Sequence, residues 1–351
     1  MKIHWVNPYN KDHAIGNHAG YVLANKRLMD AVGEIAELDD DAAIAVHFYH
    51  PLWFKAIEGK VNVLYTMCES EDEEYFFPNL EGTCDLILTP SEFCRDILKK
   101  ATSIPVKVVP LGVDSSIFKY QKRKWVPEKG DKFRWLFLGA PNMRKYSIMD
   151  EVFSLYISKM PEEFELYVKT TGADIEGGIR ELRRKGSGRL VDIDRDVFRH
   201  GNCIIDNRFL KTEELVQLIH SSHAMLALHM GEGWGQNVLE GMATGVPVVV
   251  SDYSGTRDFA NSRNAYPVEV ELKETEIARG LISEEETVKM MAAVPDVKDT
   301  LDAMFDIISD YKKATKKGKA ASMVGREFSW KNSARKLLRA VGELDSPMAL
   351  I

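Results

Sequence analysis

The sequence predicts an α/β protein of two consecutive doubly wound domains, each built on a parallel sheet. Three observations predict it. Strand-length apolar runs alternate with amphipathic helical stretches, the pattern of parallel sheets covered by helices. The alternation stops over a charged, apolar-poor stretch, KYQKRKWVPEKGDK (119–132), and then starts again. In the second series, HMGEGWGQNVLEGMATGVPVVVSD (229–252) places a Gly-rich turn between an apolar run and a helix.

The elements follow in order. MKIHWV reads as a strand, NPYNKDHAIGNHAG as a polar loop and YVLANKRLMDAVGEI as a helix. AAIAVHF and VNVLYTM are strand-like. CDLILTPSEFCRDILKKA combines a strand, a cap at Ser91 and an amphipathic helix. VKVVPLGVD is a strand running into a turn, and the N-terminal domain closes there, at 1–118. Charge, Pro127 and Gly130 mark 119–132 as a linker. In 133–325, FRWLFLGA, FELYVKT, NCIIDNR, AMLALHM and VPVVVSD are strands, and TEELVQLIH is a helix with Thr212 as its expected cap. The last segment, 326–351, contains REFSWKNSARKLLRAVGEL, a helix with Ala334, Leu337, Leu338 and Val341 on one apolar stripe that needs a surface to pack on. Two such domains leave a cleft between them.

Composition narrows the function. At 351 residues, 45% hydrophobic and 28% charged, the chain is an ordinary globular one. No apolar run approaches the roughly 18 residues of a membrane span, and the N-terminus lacks a signal peptide's apolar core, so a cytoplasmic protein is expected. Cys68, Cys84, Cys94 and Cys203 show no metal-ligand spacing. They are expected to be buried thiols in a reducing compartment, with no metal and no cofactor. The net charge of -7 is uneven: residues 1–118 hold 10 Lys/Arg against 18 Asp/Glu, and the remainder 36 against 35. A phosphate would therefore bind more comfortably in the C-terminal half.

GEGWG is a strand-to-helix turn. Its glycines let the backbone approach a ligand, and the first amides of the following helix, which lack intrahelical partners, can hold an anion. Glu232 precedes the turn, and Glu240 is expected about two turns into the helix, on roughly the face that Glu232 approaches. Carboxylates accept hydrogen bonds only, so a pair flanking an anion hole suits sugar or ribose hydroxyls.

Taken in order, these motifs resemble the retaining glycosyltransferases of family four, whose GT-B architecture sets two Rossmann-like doubly wound domains facing each other across a cleft. The landmarks are a glycine-containing first loop (Gly16, Gly20), LTPSEFCRDIL, VVPLGVD, a glycine-ended strand followed by Arg144 and Lys145, EGWGQNVLEGMATGVPVV, and the terminal FSW helix. The resemblance implies transfer of a sugar from a nucleotide-diphosphate donor, a UDP- or GDP-sugar, to a hydroxyl acceptor: a glycan, a lipid-linked sugar or a small molecule. It implies that Glu240 binds the donor ribose, that the backbone of Gly235, Gln236 and Asn237 holds the diphosphate, and that Glu232 meets the transferring sugar. Gly16 would let the first loop approach the donor phosphates. Arg144 and Lys145 would stabilise the leaving diphosphate without a metal ion, although family members often place the arginine earlier, near Ala140. Many members also have a histidine after the strand that is VNVLYT here; this chain has YTMCE, so Glu69 is the acceptor-side candidate, or else it simply opens the acidic run ESEDEE. His50 is a second candidate, and His47 reads as structural. Retention is expected through front-face attack, in which the leaving phosphate takes the acceptor's proton.

Two other readings stand beside this one. A phage-type DNA glycosyltransferase acting on hydroxymethylated bases would use KYQKRK and RELRRKGSGR (180–189) to track phosphates, against which stands the acidic N-terminal half. A GT-B protein could also bind or epimerise a nucleotide sugar without transferring it. The first helix, with Lys26, Arg27, Asp30 and Glu34, reads as core packing and not as a membrane surface.

Overall fold

A computed structural model describes residues 1–7, 19–70, 80–125, 130–139, 161–170, 191–278 and 287–344. The N-terminal strands are β1 (Lys2–Val6), β2 (Glu37–Leu38), β3 (Ile44–Phe48), β4 (Val61–Tyr65), β5 (Leu86–Thr89) and β6 (Val106–Val108). They form one parallel sheet in the order β2-β1-β3-β4-β5-β6. All of β3 and β5 is buried, which is why these segments read as continuous apolar runs. Helices α1 (Ala19–Gly33) and α2 (Glu92–Ala101) cross between strands. Helix α1 begins two residues before the expected start, so Gly20 lies in its first turn and not in a loop. Ser91 caps α2 as expected, its Oγ accepting from the Cys94 amide at 3.2 Å.

The second sheet has β7 (Phe133–Leu138), β8 (Phe164–Lys169), β9 (Val191–Asp194), β10 (Val197–His200), β11 (Cys203–Asp206), β12 (Ala224–Ala227), β13 (Val248–Ser251) and β14 (Tyr266–Val268). Their order is β14-β13-β12-β7-β8-β11-β10-β9, parallel except that β10 runs against both its neighbours. Helices α3 (Thr212–His220) and α4 (Gln236–Ala243) flank β12 in sequence. A separate hairpin pairs β15 (Val270–Ala278) with β16 (Thr287–Pro295). Strand β15 of this hairpin is not visible as an apolar run, and neither are β9 and β10. VELKETEIA alternates apolar residues with Glu and Lys, which strands disfavour, and its pairing supplies what composition does not.

Two helix starts differ from expectation. Thr212 is the first helical residue of α3, not its cap; the cap position is Lys211, whose amide donates to Glu214 Oε2 at 2.7 Å. The glutamate three residues into the sequence thus satisfies an end that a threonine hydroxyl was expected to serve. The terminal helix does not run from 326. After α5 (Val297–Ser309) and α6 (Tyr311–Ala321), a short α7 (Val324–Glu327) ends and α8 (Trp330–Gly342) begins, capped by Ser329, whose Oγ accepts from the Asn332 amide. Ala334, Leu337 and Val341 are buried and Leu338 half-buried. Helix α8 packs on α1, with Lys107 paired to Glu343 and the Val113 amide donating to Phe328 O at 2.8 Å. The chain therefore returns to the N-terminal sheet.

The charged stretch after Phe118 hides one buried cation. Arg123 is 8% exposed, and its guanidinium donates to the carbonyls of Ile219, Ser222 and Thr244. All four cysteines are free and buried. Among the described residues no helix is long and apolar enough to cross a membrane.

Candidate active site

The glycine turn 231–235 leaves β12 and feeds α4. Gly235 sits at φ 86°, and a Cβ there would lie 2.5 Å from Thr256 Cγ2, so both backbone shape and space require glycine. The Glu232 amide donates to Ser254 Oγ at 2.9 Å, and its carbonyl accepts from the Gly255 amide at 2.9 Å. Ser254 holds φ 61° to do this, a conformation that costs free energy in a non-glycine residue and persists here because the turn is fixed on both sides. Trp234 is buried between Phe259 and Phe328, with ring centroids at 5.0 and 5.3 Å. The turn is thus anchored below, while Glu232 stays partly exposed above it.

Helix α4 starts at Gln236, so Glu240 is its fifth residue, just over one turn in at about 3.6 residues per turn. The expected two turns overshoot because the turn runs on to Gly235 before the helix begins. The Gln236 and Asn237 amides take no protein acceptor among the described residues, as an anion-holding helix start requires. Asn237 Nδ2 donates to Leu138 O at 2.7 Å, tying α4 to the end of β7. Arg144 and Lys145 follow that strand in sequence; they, like Gly16 and RELRRKGSGR, lie outside the described residues.

Glu240 is 6% exposed. Its Oε1 accepts from Arg27 Nη1 at 2.7 Å and from Gln236 Nε2 at 3.1 Å, and Gln236 Nε2 also reaches Gly112 O at 2.9 Å. The Gln236 amide orientation is set by these neighbours, since both are acceptors. Arg27 is therefore not simply core packing. Nothing in the sequence links it to a residue 213 positions away.

The N-terminal elements close on the turn from the opposite side. A Cβ on Gly231 would stand 1.9 Å from Glu69 O, and one on Gly233 3.0 Å from Cys68 O. Ser91 Oγ donates to Gly233 O at 2.7 Å, and Cys94 Sγ lies 3.3 Å from the same oxygen. Glu69 is thus brought to the glycine turn, partly exposed, at the seam between the two sheets. His50 stands at the start of the short helical turn Pro51–Trp53. Its Nδ1 accepts from the Leu52 amide at 3.3 Å, beside the Trp53 ring. His47 is fully buried, with Nδ1 2.6 Å from Tyr49 Oη and Nε2 3.0 Å from Asn62 Oδ1, and burial lowers its pKa. Asp258 accepts from the Glu92 amide at 3.0 Å, a second link from the C-terminal half to α2. Burial, with the charge of Asp96 adding and Arg95 opposing, pushes its pKa up to about 6.

The same arrangement is found among solved structures. Anabaena HepE, solved in complex with UDP and glucose, superposes with a TM-score of 0.66 over 98% of this chain and 100% of that one, at 12% identity. The fold is GT-B. Two other GT-B structures are similar to this chain. A glycosyltransferase from Rickettsia africae gives a TM-score of 0.60 at 14% identity, over 97% of this chain and 84% of that one. Sucrose-phosphate synthase from Thermosynechococcus elongatus gives 0.57 at 14% identity, over 81% and 68%. The family description "Glycosyl transferases group 1" matches residues 207–294, about a quarter of the chain, which contains Glu232, the glycine turn and Glu240. No curated protein matches the sequence. In this GT-B chain the sequence motif singled out Glu232, Gly235, Gln236, Asn237 and Glu240, which the structure places together at the turn and the start of α4. It missed Arg27, the Gln236 side chain, Ser254 and the bonds from Ser91 and Cys94 to Gly233.

Proposed function

We propose that this GT-B protein is a retaining, metal-independent glycosyltransferase that moves a hexose from a nucleotide-diphosphate sugar to a hydroxyl acceptor. The observation that carries the reading is the α4 start, whose unpartnered amides lie between the Glu232 turn and the Glu240 carboxylate at the seam of the two sheets. The amides hold the diphosphate, Glu240 takes the ribose and Glu232 the transferring sugar. Arg144 and Lys145 neutralise the charge that develops as the sugar-phosphate bond breaks, which removes the need for a metal ion. The free phosphate oxygen then accepts the acceptor's proton, giving retention.

In this reading 133–325 is the donor domain, 1–118 the acceptor domain, 119–132 the connection and 326–351 the segment that carries the returning helix α8. Gly16 is assigned to the donor phosphates and Glu69 to the acceptor. UDP-glucose is the first donor to test, because Anabaena HepE has been solved with it. Arg123, buried among carbonyls, is not available to track a nucleic-acid backbone, which favours a glycan, lipid-linked sugar or small molecule over DNA. Four buried thiols suit a reducing cytoplasm.

The test is a thermal-shift series with UDP-, GDP-, ADP- and dTDP-sugars, each with EDTA and with divalent metal, followed by calorimetric titration of Glu240→Ala. One nucleotide class should raise Tm in EDTA. Glu240→Ala should weaken that ligand roughly 10-fold or more while the variant stays folded. Equal affinity in wild type and variant removes Glu240 from the donor site. Binding without turnover on glycan, lipid-linked and hydroxymethylated-DNA acceptors would make the protein a binder. NMR of the product anomer then decides retention.

A further inference from the structure

The carboxylate proposed to hold the donor ribose is itself held from the other half of the molecule. Arg27 projects from α1, in the N-terminal half, and reaches Glu240 Oε1 on α4 at 2.7 Å. Gln236 Nε2 shares that oxygen and also binds Gly112 O, so two N-terminal elements meet the donor helix at one point. Glu240 Oε2 takes no donor among the described residues, and neither does Gln236 Oε1, a buried acceptor. The Arg27 side chain is 25% exposed, and only Nη1 of its guanidinium is engaged by a described residue.

A carboxylate left alone rotates about its last torsion and presents either oxygen to a ligand. Fixing Oε1 with a charged donor restricts where Oε2 points, and the remaining N–H groups of the same guanidinium are engaged by no described residue. That is a donor-acceptor pair matched to a vicinal diol, in which each hydroxyl both donates and accepts. We infer that Arg27 is a positioning residue for the donor ribose, orienting Glu240 across the seam so that nucleotide binding and closure of the two halves are coupled. The inference rests on the proposed donor reading and adds to it a residue of the opposite half. A salt bridge that merely fastened the halves together would act on every nucleotide alike. A ribose-positioning arginine acts only through the hydroxyls.

The experiment therefore varies the ligand as well as the protein. UDP and 2′,3′-dideoxy-UDP are titrated calorimetrically into wild type, Arg27→Met, Arg27→Lys and Glu240→Gln, and the GDP pair is run in parallel. Wild type should prefer UDP over its dideoxy analogue by roughly 10- to 100-fold, the range of charge-assisted hydrogen bonds. In Arg27→Met that ratio should fall to about 3-fold or less while dideoxy-UDP affinity stays within about 2-fold of wild type. Arg27→Lys, which keeps one point charge, should recover part of the ratio. If Arg27→Met or Arg27→Lys retains the full wild-type ratio, or if both nucleotides weaken equally, the inference is overturned and the donor reading survives. If wild type fails to discriminate, the ribose reading of Glu240 fails and the inference fails with it.

Discussion

The glycine turn after β12 and the N-terminal elements that close on it meet at one seam but are built in opposite ways. The turn is held from within its own half of the chain: Glu232 is fixed by Ser254, 22 residues on, and by Gly255, and the Gln236 and Asn237 amides are left open by the helix start itself. The opposing face is assembled from Arg27, the Cys68 and Glu69 carbonyls, Ser91, Cys94 and Gly112, which meet only because the six-stranded sheet and its helices bring them there. Anion-holding chemistry needs one strand, one turn and one helix. Closing that chemistry off from water needs a second sheet.

Four experiments would break or sharpen this contrast, the first on the donor half alone. Lys145→Ala should lower kcat roughly 100-fold or more, as loss of a preorganised cation at a leaving group does, with nucleotide affinity much less affected. An unchanged kcat would take Lys145 out of the site. The second acts on the seam itself. Gly231→Ala places a Cβ against the Glu69 carbonyl, two backbones that cannot both yield, and should cost about 3 kcal/mol in urea unfolding. Gly20→Ala is its control: no atom lies within 4 Å of a Cβ on this α1 glycine, so stability should rise by about 0.5 to 1 kcal/mol. Equal effects from the two glycines would mean that the seam is not tightly closed.

A third test exploits the link from Asp258 to α2. Its folded pKa of about 6 exceeds the unfolded value, so neutral Asp258 contributes stability that is complete below about pH 4 and lost as pH rises through 6. Asp258→Asn, which keeps an acceptor for the Glu92 amide, should gain about 1 to 2 kcal/mol over wild type at pH 8 and nothing at pH 4. A Tm difference independent of pH would contradict the assigned cause. The smallest effect separates Thr212 from Glu214. Glu214→Ala should cost about 0.5 to 1 kcal/mol through loss of its bond to the Lys211 amide, and Thr212→Ala should stay within about 0.5 kcal/mol of wild type. The reverse order would restore Thr212 as the cap.

These differences also mark how far the sequence can be read. Strands such as β3 and β5 were legible because both faces are buried, which forces unbroken apolar runs. Strand β15 was not, because its exposed Glu271, Leu272, Lys273 and Glu274 impose no apolar pattern; burial in the hairpin falls on Ala292 and Ala293 of β16. Within the site, Glu232 and Glu240 stood out because glycines and a helix lie between them, and Ser91 because it stands where a helix begins. Arg27 carried no such mark. Its role depends on a contact spanning most of the chain, and one arginine on a helix surface looks like any other until its partner is seen. Glu240 was placed a turn too deep for a related reason: the length of an irregular turn depends on what packs against it, here Thr256 and Phe259 against Gly235.

The return of α8 to α1 sets a timetable for synthesis. A ribosome finishes all six N-terminal strands before it makes residue 110, but the helix that covers α1 with Ala334, Leu337 and Val341 is not complete until residue 342. For the whole interval in which the second sheet is made, the first presents an uncovered apolar surface, the condition under which nascent chains aggregate or recruit chaperones. Ribosome-arrested chains of increasing length should show α1 becoming protease-resistant only after α8 has emerged. Early resistance would mean that another surface covers it first.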